Sequence, residues 1–67
     1  MLFAGIDIGS LTAQAVVIEN SKIIGSETMS VLPHPVDSAN EVVSRLLLKQ
    51  GIKWEDIKYA VSTGYGR

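Results

Sequence analysis

Three residues, Ser10 to Thr12, separate two β-rich runs near the start of the chain, and no other feature constrains the fold as strongly. The first run, Leu2 to Gly9, alternates: Leu2, Ala4, Ile6 and Ile8 fall on one side, Phe3, Gly5 and Asp7 on the other. The second, Ala13 to Glu19, carries the β-branched residues Val16, Val17 and Ile18. Parallel neighbours need a crossover of about a dozen residues or more, so these two strands must be antiparallel. Asn20-Ser21 is a two-residue turn signal, and Lys22 to Val31 reads as a third strand. Pro33 and Pro35 then break the pattern and mark a loop.

A helix follows. Ser38 as N-cap with Glu41 three residues later fits a capping box. Ala39, Val42, Val43, Leu46 and Leu47 recur at helical spacing as one apolar stripe, which a sheet would cover. Gly51 suits the left-handed residue that ends a helix. After a short turn at Lys53 to Asp56, Ile57 to Thr63 reads as a fourth strand and Gly64 to Arg67 as a turn. The order β-β-β-α-β makes this an α/β chain, with the helix as the crossover that returns the chain to the sheet. If the fourth strand lies parallel to the first, both C-terminal ends reach one edge of a mixed sheet, where ligands of open α/β sheets gather. Asp7, Gly9 and Ser10 then meet Thr63, Gly64 and Gly66.

The rest of the composition narrows the function. With 67 residues the chain makes one small domain. Six Lys and Arg against seven Asp and Glu leave a net charge of −1, without the basic block of a nucleic-acid binder. There is no Cys, so these residues hold neither a disulfide framework nor a thiolate metal site. No signal-peptide pattern and no membrane-length apolar run is visible, and the cytoplasm is the expected compartment. The chain stops on a glycine-rich turn where another element is expected, so residues 1–67 are expected to be one partial domain, the N-terminal segment of a longer one.

The chemistry centres on "GIDIGS". Gly9 allows close backbone approach, successive N–H groups form an anion nest, and the Ser10 and Thr12 hydroxyls donate to phosphate oxygens. Asp7 beside a phosphate repels it unless a cation intervenes, and Mg²⁺, which keeps several waters and needs few protein ligands, fits that role. The same residues also suit a plain polar hairpin turn, with Asp7 accepting backbone N–H groups. The loop is neither a Walker loop nor a dinucleotide fingerprint. At the other strand end, Thr63 and the Gly64 N–H can touch phosphate and Arg67 can carry counter-charge, while Tyr65 and Arg67 equally suit a turn. His34, between prolines, reads as solvated. Trp54 and Tyr59 read as core or edge packing, Met29 as strand filler, and Lys49, Lys53 and Lys58 as a solvated face.

"GIDIGSLTAQAVVIENSKIIG" followed at this distance by "STGYGR" resembles the ATPase activators of 2-hydroxyacyl-CoA dehydratases and the related ATPase subunits of benzoyl-CoA reductase. The resemblance spans the chain. The first motif is shared across the actin, sugar-kinase and heat-shock-chaperone superfamily, and "TGYGR" narrows it to the activators. The resemblance implies the ribonuclease-H-like, actin-like ATPase half-domain. It implies a homodimer that binds Mg-ATP in each subunit, shares one [4Fe–4S] cluster between subunits, and drives an electron into a partner dehydratase or reductase. Carried over by position, Asp7 holds the Mg²⁺ or its water and is the catalytic residue. Gly9, Ser10 and Thr12 form the first phosphate loop, and Thr63 to Arg67, with Gly64 and Gly66, line the nucleotide cleft. The cluster ligands and the second phosphate loop of that family have no counterpart here. Two other readings stay open: a segment of a superfamily sugar or small-acid kinase, and an actin-like assembly module without catalysis. The chain alone is expected to be inactive and to self-associate through the edge of the fourth strand or the sheet face away from the helix.

Overall fold

The computed structural model describes residues 1–64 of the chain. The alternating first run forms β1 (Leu2–Ile8), and the β-branched second run forms β2 (Thr12–Glu19), antiparallel to it with Ile8 opposite Ala13 and Leu2 opposite Glu19. Asn20 and Ser21 take φ of 51° and 68°, the left-handed pair that a two-residue hairpin turn requires. They lead into β3 (Lys22–Ser30), again antiparallel. The β2–β3 ladder slips by one residue between Val17 and Ile18, so that Ile24 is extra on β3. Helix α1 (Pro35–Gln50) and a 3₁₀ turn (Trp54–Asp56) return the chain to β4 (Ile57–Gly64), parallel to β1. The sheet order is β3-β2-β1-β4.

One face of the sheet carries α1. Ala4, Ile8, Ala13, Ala15, Val17 and Met29 are buried against Val42, Val43, Leu46 and Leu47, with Ala39 packed at the margin. Three alanines under the helix keep that side of the sheet low, so the larger helix side chains reach the backbone plane. Gly25 continues the logic: a Cβ there would meet the Gln50 side chain at 2.5 Å, so the end of the helix lies directly over it. Lys49 pairs with Glu27 of β3 at 2.9 Å, which corrects its reading as a merely solvated lysine. The opposite face has no covering element among the described residues. Phe3, Tyr59 and Val61 stand exposed on it, and Tyr59 and Trp54 are more than half exposed. Neither aromatic is core packing: Tyr59 lies on the edge strand, and Trp54 on the short turn before it.

The helix begins earlier than a capping box at Ser38 predicts. Pro35 occupies the first turn with His34 as N-cap, and no side chain caps the end. Proline pre-sets the helical φ at a position whose N–H has no intrahelical partner. Ser38 therefore lies inside the helix, its N–H donating to the His34 carbonyl at 3.1 Å. Gly51 ends the helix at φ 70°, and its N–H closes on the carbonyls of Leu47 and Leu48.

Candidate functional site

Parallel pairing of β1 and β4 brings the two motifs together. Asp7 sits opposite Thr63 and Ile8 opposite Gly64, while on the other side Asp7 faces Gln14 of β2. The β1–β2 loop projects from the same edge of the sheet. Tyr65, Gly66 and Arg67 lie outside the described residues, and for Thr63 and Gly64 the description is of backbone position alone.

The loop is pinned at both ends. The Gly9 N–H donates to the Thr12 carbonyl at 2.8 Å, and the Leu11 carbonyl accepts the Val31 N–H at 3.1 Å. The Gly9 N–H is therefore used within the hairpin and is not among the donors of the expected anion nest. The Ser10 and Leu11 N–H groups are the loop donors that no backbone carbonyl takes among the described residues. The side chains of Ser10, Thr12 and Asp7 are exposed, that of Asp7 on the sheet face away from α1. Gly9 needs no glycine for its own conformation. Its φ is outside the left-handed region, and an added Cβ would make an ordinary 3.4 Å contact with the Thr12 carbonyl.

Two hollows flank these residues. One, of about 300 Å³, lies on the uncovered face over Gly5 and is walled by Asp7, Gln14, Val16 and Val61. The other, of about 230 Å³, lies between the loop residues Gly9 and Ser10 and the first turn of α1 at Pro35 and Ser38. Gln14 escaped the sequence reading. The available signal was a lone polar residue between Ala13 and Ala15 at the position that antiparallel register sets opposite Asp7.

The donor set can be weighed against a Mg²⁺–phosphate group. It comprises one carboxylate, two hydroxyls and two backbone N–H groups. No cluster of three His, Cys, Asp or Glu that could hold a metal ion exists among the described residues. Mg²⁺ typically uses one or two carboxylates and completes its shell with phosphate oxygens and waters, and this set fits that habit. It does not fit an iron–sulfur cluster, since the chain has no Cys.

No protein-family model matches the chain. Individual proteins do. All 67 residues align at 40% identity over 68 positions with a 2-hydroxyisocaproyl-CoA dehydratase activator from Clostridioides difficile. They align at 38% over 74 positions with an activator of lactoyl-CoA dehydratase from Anaerotignum propionicum. An (R)-2-hydroxyglutaryl-CoA dehydratase activating ATPase from Acidaminococcus fermentans is 27% identical over 63 positions, 94% of this chain. The chain spans about a quarter of the length of each: 25%, 26% and 24%. The solved structure of the Clostridioides activator with bound ADPNP covers the whole chain with a TM-score of 0.87 at 40% identity. The fold is thus the N-terminal part of an actin-like ATPase activator, and the resemblance carried by the two motifs holds across all the residues.

Proposed function

We propose that this chain, alike in sequence and fold to the dehydratase activators, forms the phosphate-side wall of a Mg-ATP site. The observation that carries the proposal is its superposition, end to end, on an activator solved with an ATP analogue. The local geometry agrees, with a pinned loop offering two N–H donors that no backbone carbonyl takes, beside an exposed carboxylate.

In this reading the Ser10 and Leu11 N–H groups and the hydroxyls of Ser10 and Thr12 bind phosphate oxygens, charge-assisted and pre-aimed. Gly9 admits the phosphate to the backbone. Asp7 holds Mg²⁺ or one of its waters. The cation, when bound, supplies charge neutralisation on the phosphates and polarises the phosphorus for attack by water. Thr63 and Gly64 form the adjoining wall, which parallel pairing carries to the same edge, and Gly66 joins them in this reading by its place in the motif. The activity served is ATP hydrolysis coupled to electron delivery into a 2-hydroxyacyl-CoA dehydratase or a related reductase. The homodimer, its shared [4Fe–4S] cluster and the docking on that enzyme belong to the whole activator; the 67 residues hold no cluster ligand. By themselves they present one wall of a cleft and are inactive.

The test is a chimera in which residues 1–67 replace the matching quarter of the Clostridioides activator. Hydrolysis by the chimera, lost in Asp7→Ala with the fold intact by circular dichroism, is the expected result. Undiminished turnover in that variant refutes the role of Asp7.

A further inference from the structure

Ser38 is completely buried, the one polar side chain among the buried residues described. A serine inside a helix ordinarily bonds back to a carbonyl one turn earlier or faces solvent. Here its Oγ accepts the N–H of Leu32 at 2.7 Å, across the loop before the helix, and its own O–H lies 3.5 Å from the Leu32 carbonyl. The neighbouring residue, Val31, donates its N–H to the Leu11 carbonyl in the β1–β2 loop. Two successive amides of one extended segment are therefore held in opposite directions, Leu32 by the helix and Val31 by the loop. A hollow of about 230 Å³ lies between Ser10 and the first turn of α1. Of its two pins, the one at Gly9 is internal to the hairpin and moves with it. Besides the two strands it joins, the pin at Leu11 is the backbone hydrogen bond that ties the loop to the segment before α1 among the described residues.

We propose that Ser38 is a positioning residue for the phosphate loop: through Leu32 and Val31 it sets where the Ser10 and Leu11 N–H groups stand relative to Asp7. The role rests on the phosphate-binding reading above. It also gives the early helix start a purpose. Pro35 places Ser38 one turn inside α1, where its hydroxyl reaches back to the connection instead of capping the helix.

The experiment has two arms. The first needs no nucleotide and uses the 67-residue chain with amide exchange read by NMR. In Ser38→Ala, the amides of both Leu32 and Val31 exchange about tenfold faster or more, the loss expected for one hydrogen bond, while those of Ala4 and Ile6 on β1 keep their rates. Ser38→Thr retains the oxygen, has the hollow beside it for the extra methyl, and restores the wild-type pattern. Faster exchange at Leu32 with Val31 unchanged overturns the proposal, because the tether then ends at the connection. The second arm measures Mg-ADPNP affinity in the chimera. Ser38→Ala weakens binding about tenfold, Ser38→Thr restores it, and Val43→Ala, a core truncation on the same helix away from the loop, leaves it unchanged. Equal weakening by Val43→Ala reduces Ser38 to general stability and overturns the proposal. Failure of the phosphate reading looks different: the wild-type Ser10 and Leu11 amide signals then ignore Mg-ADPNP even though the chimera binds it, and the role of Ser38 falls with that of the loop.

Discussion

Asp7→Asn should change nucleotide affinity in opposite directions with and without Mg²⁺. Asn is nearly isosteric with Asp and removes only the charge. Two residues, Ile8 and Gly9, separate Asp7 from Ser10, at most about 10 Å of extended chain, and the loop turns back, so the magnitude is worked at a separation of about 6 Å between the carboxylate and a phosphate on the loop amides. Two unit charges at that distance repel by about 0.7 kcal/mol in bulk water and about 2.8 kcal/mol at an effective dielectric constant of about 20. Asp7 is exposed, which places it near the bulk-water limit, at about 0.7 kcal/mol or roughly a threefold change in affinity. Without metal, the substitution relieves this repulsion, and ADPNP should bind the chimera about threefold more tightly. With Mg²⁺ it removes the carboxylate that anchors the cation, and binding should weaken tenfold or more. Calorimetric titration of both proteins, in Mg²⁺ and in EDTA, reads the two differences side by side. A shift of the same sign in both conditions, or none in either, refutes the assignment of Asp7 to the metal and points to the hairpin-turn role instead.

Four further outcomes are expected. Leu46 is fully buried at the centre of the core, and Leu46→Ala should cost about 2–5 kcal/mol. For a chain of this size that is most of its stability, so urea unfolding should show little residual transition, and a loss under about 1 kcal/mol would contradict the packing described. Ser21→Gly should stabilise the chain by about 0.5–1 kcal/mol, since relief of the left-handed φ of 68° outweighs the added freedom of the unfolded chain; a lower urea midpoint would show that the turn differs. The purified 67 residues should show no ATPase activity and no binding of Mg-ATP in the micromolar range by calorimetry. They should also associate in sedimentation velocity as concentration rises, because Phe3, Tyr59 and Val61 are exposed on the uncovered face beside the β4 edge; a compact monomer throughout would refute this.

Much of the fold follows from local pattern. The short Ser10–Thr12 connection leaves only an antiparallel hairpin, and the structure has one. The helical stripe named the buried residues Val42, Val43, Leu46 and Leu47, and Gly51 ends the helix in the left-handed conformation, because period and turn chemistry act within a few residues. What local pattern misjudged was decided by contacts between distant segments. Ser38 carries the cap signature but spends its hydroxyl on Leu32, and Pro35 starts the helix. Gly9 looks like a nest donor, yet its N–H closes the hairpin on Thr12. Trp54 and Tyr59 have the size of core residues and lie exposed, since on the described residues α1 covers only one face of the sheet.

The candidate site divides in the same way. The sequence by itself determined the chemical inventory: a carboxylate closing an apolar strand, a glycine and two hydroxyls in a tight loop, a second glycine-bearing strand end, and no cysteine. Only the tertiary structure decided that these belong to one place. The pairing of β1 with β4 sets Asp7 opposite Thr63, and that register joins two strands that the hairpins and the helix keep far apart in sequence. The structure alone also showed which loop amides remain open to a ligand, because each backbone N–H is claimed or left free by its partners in space.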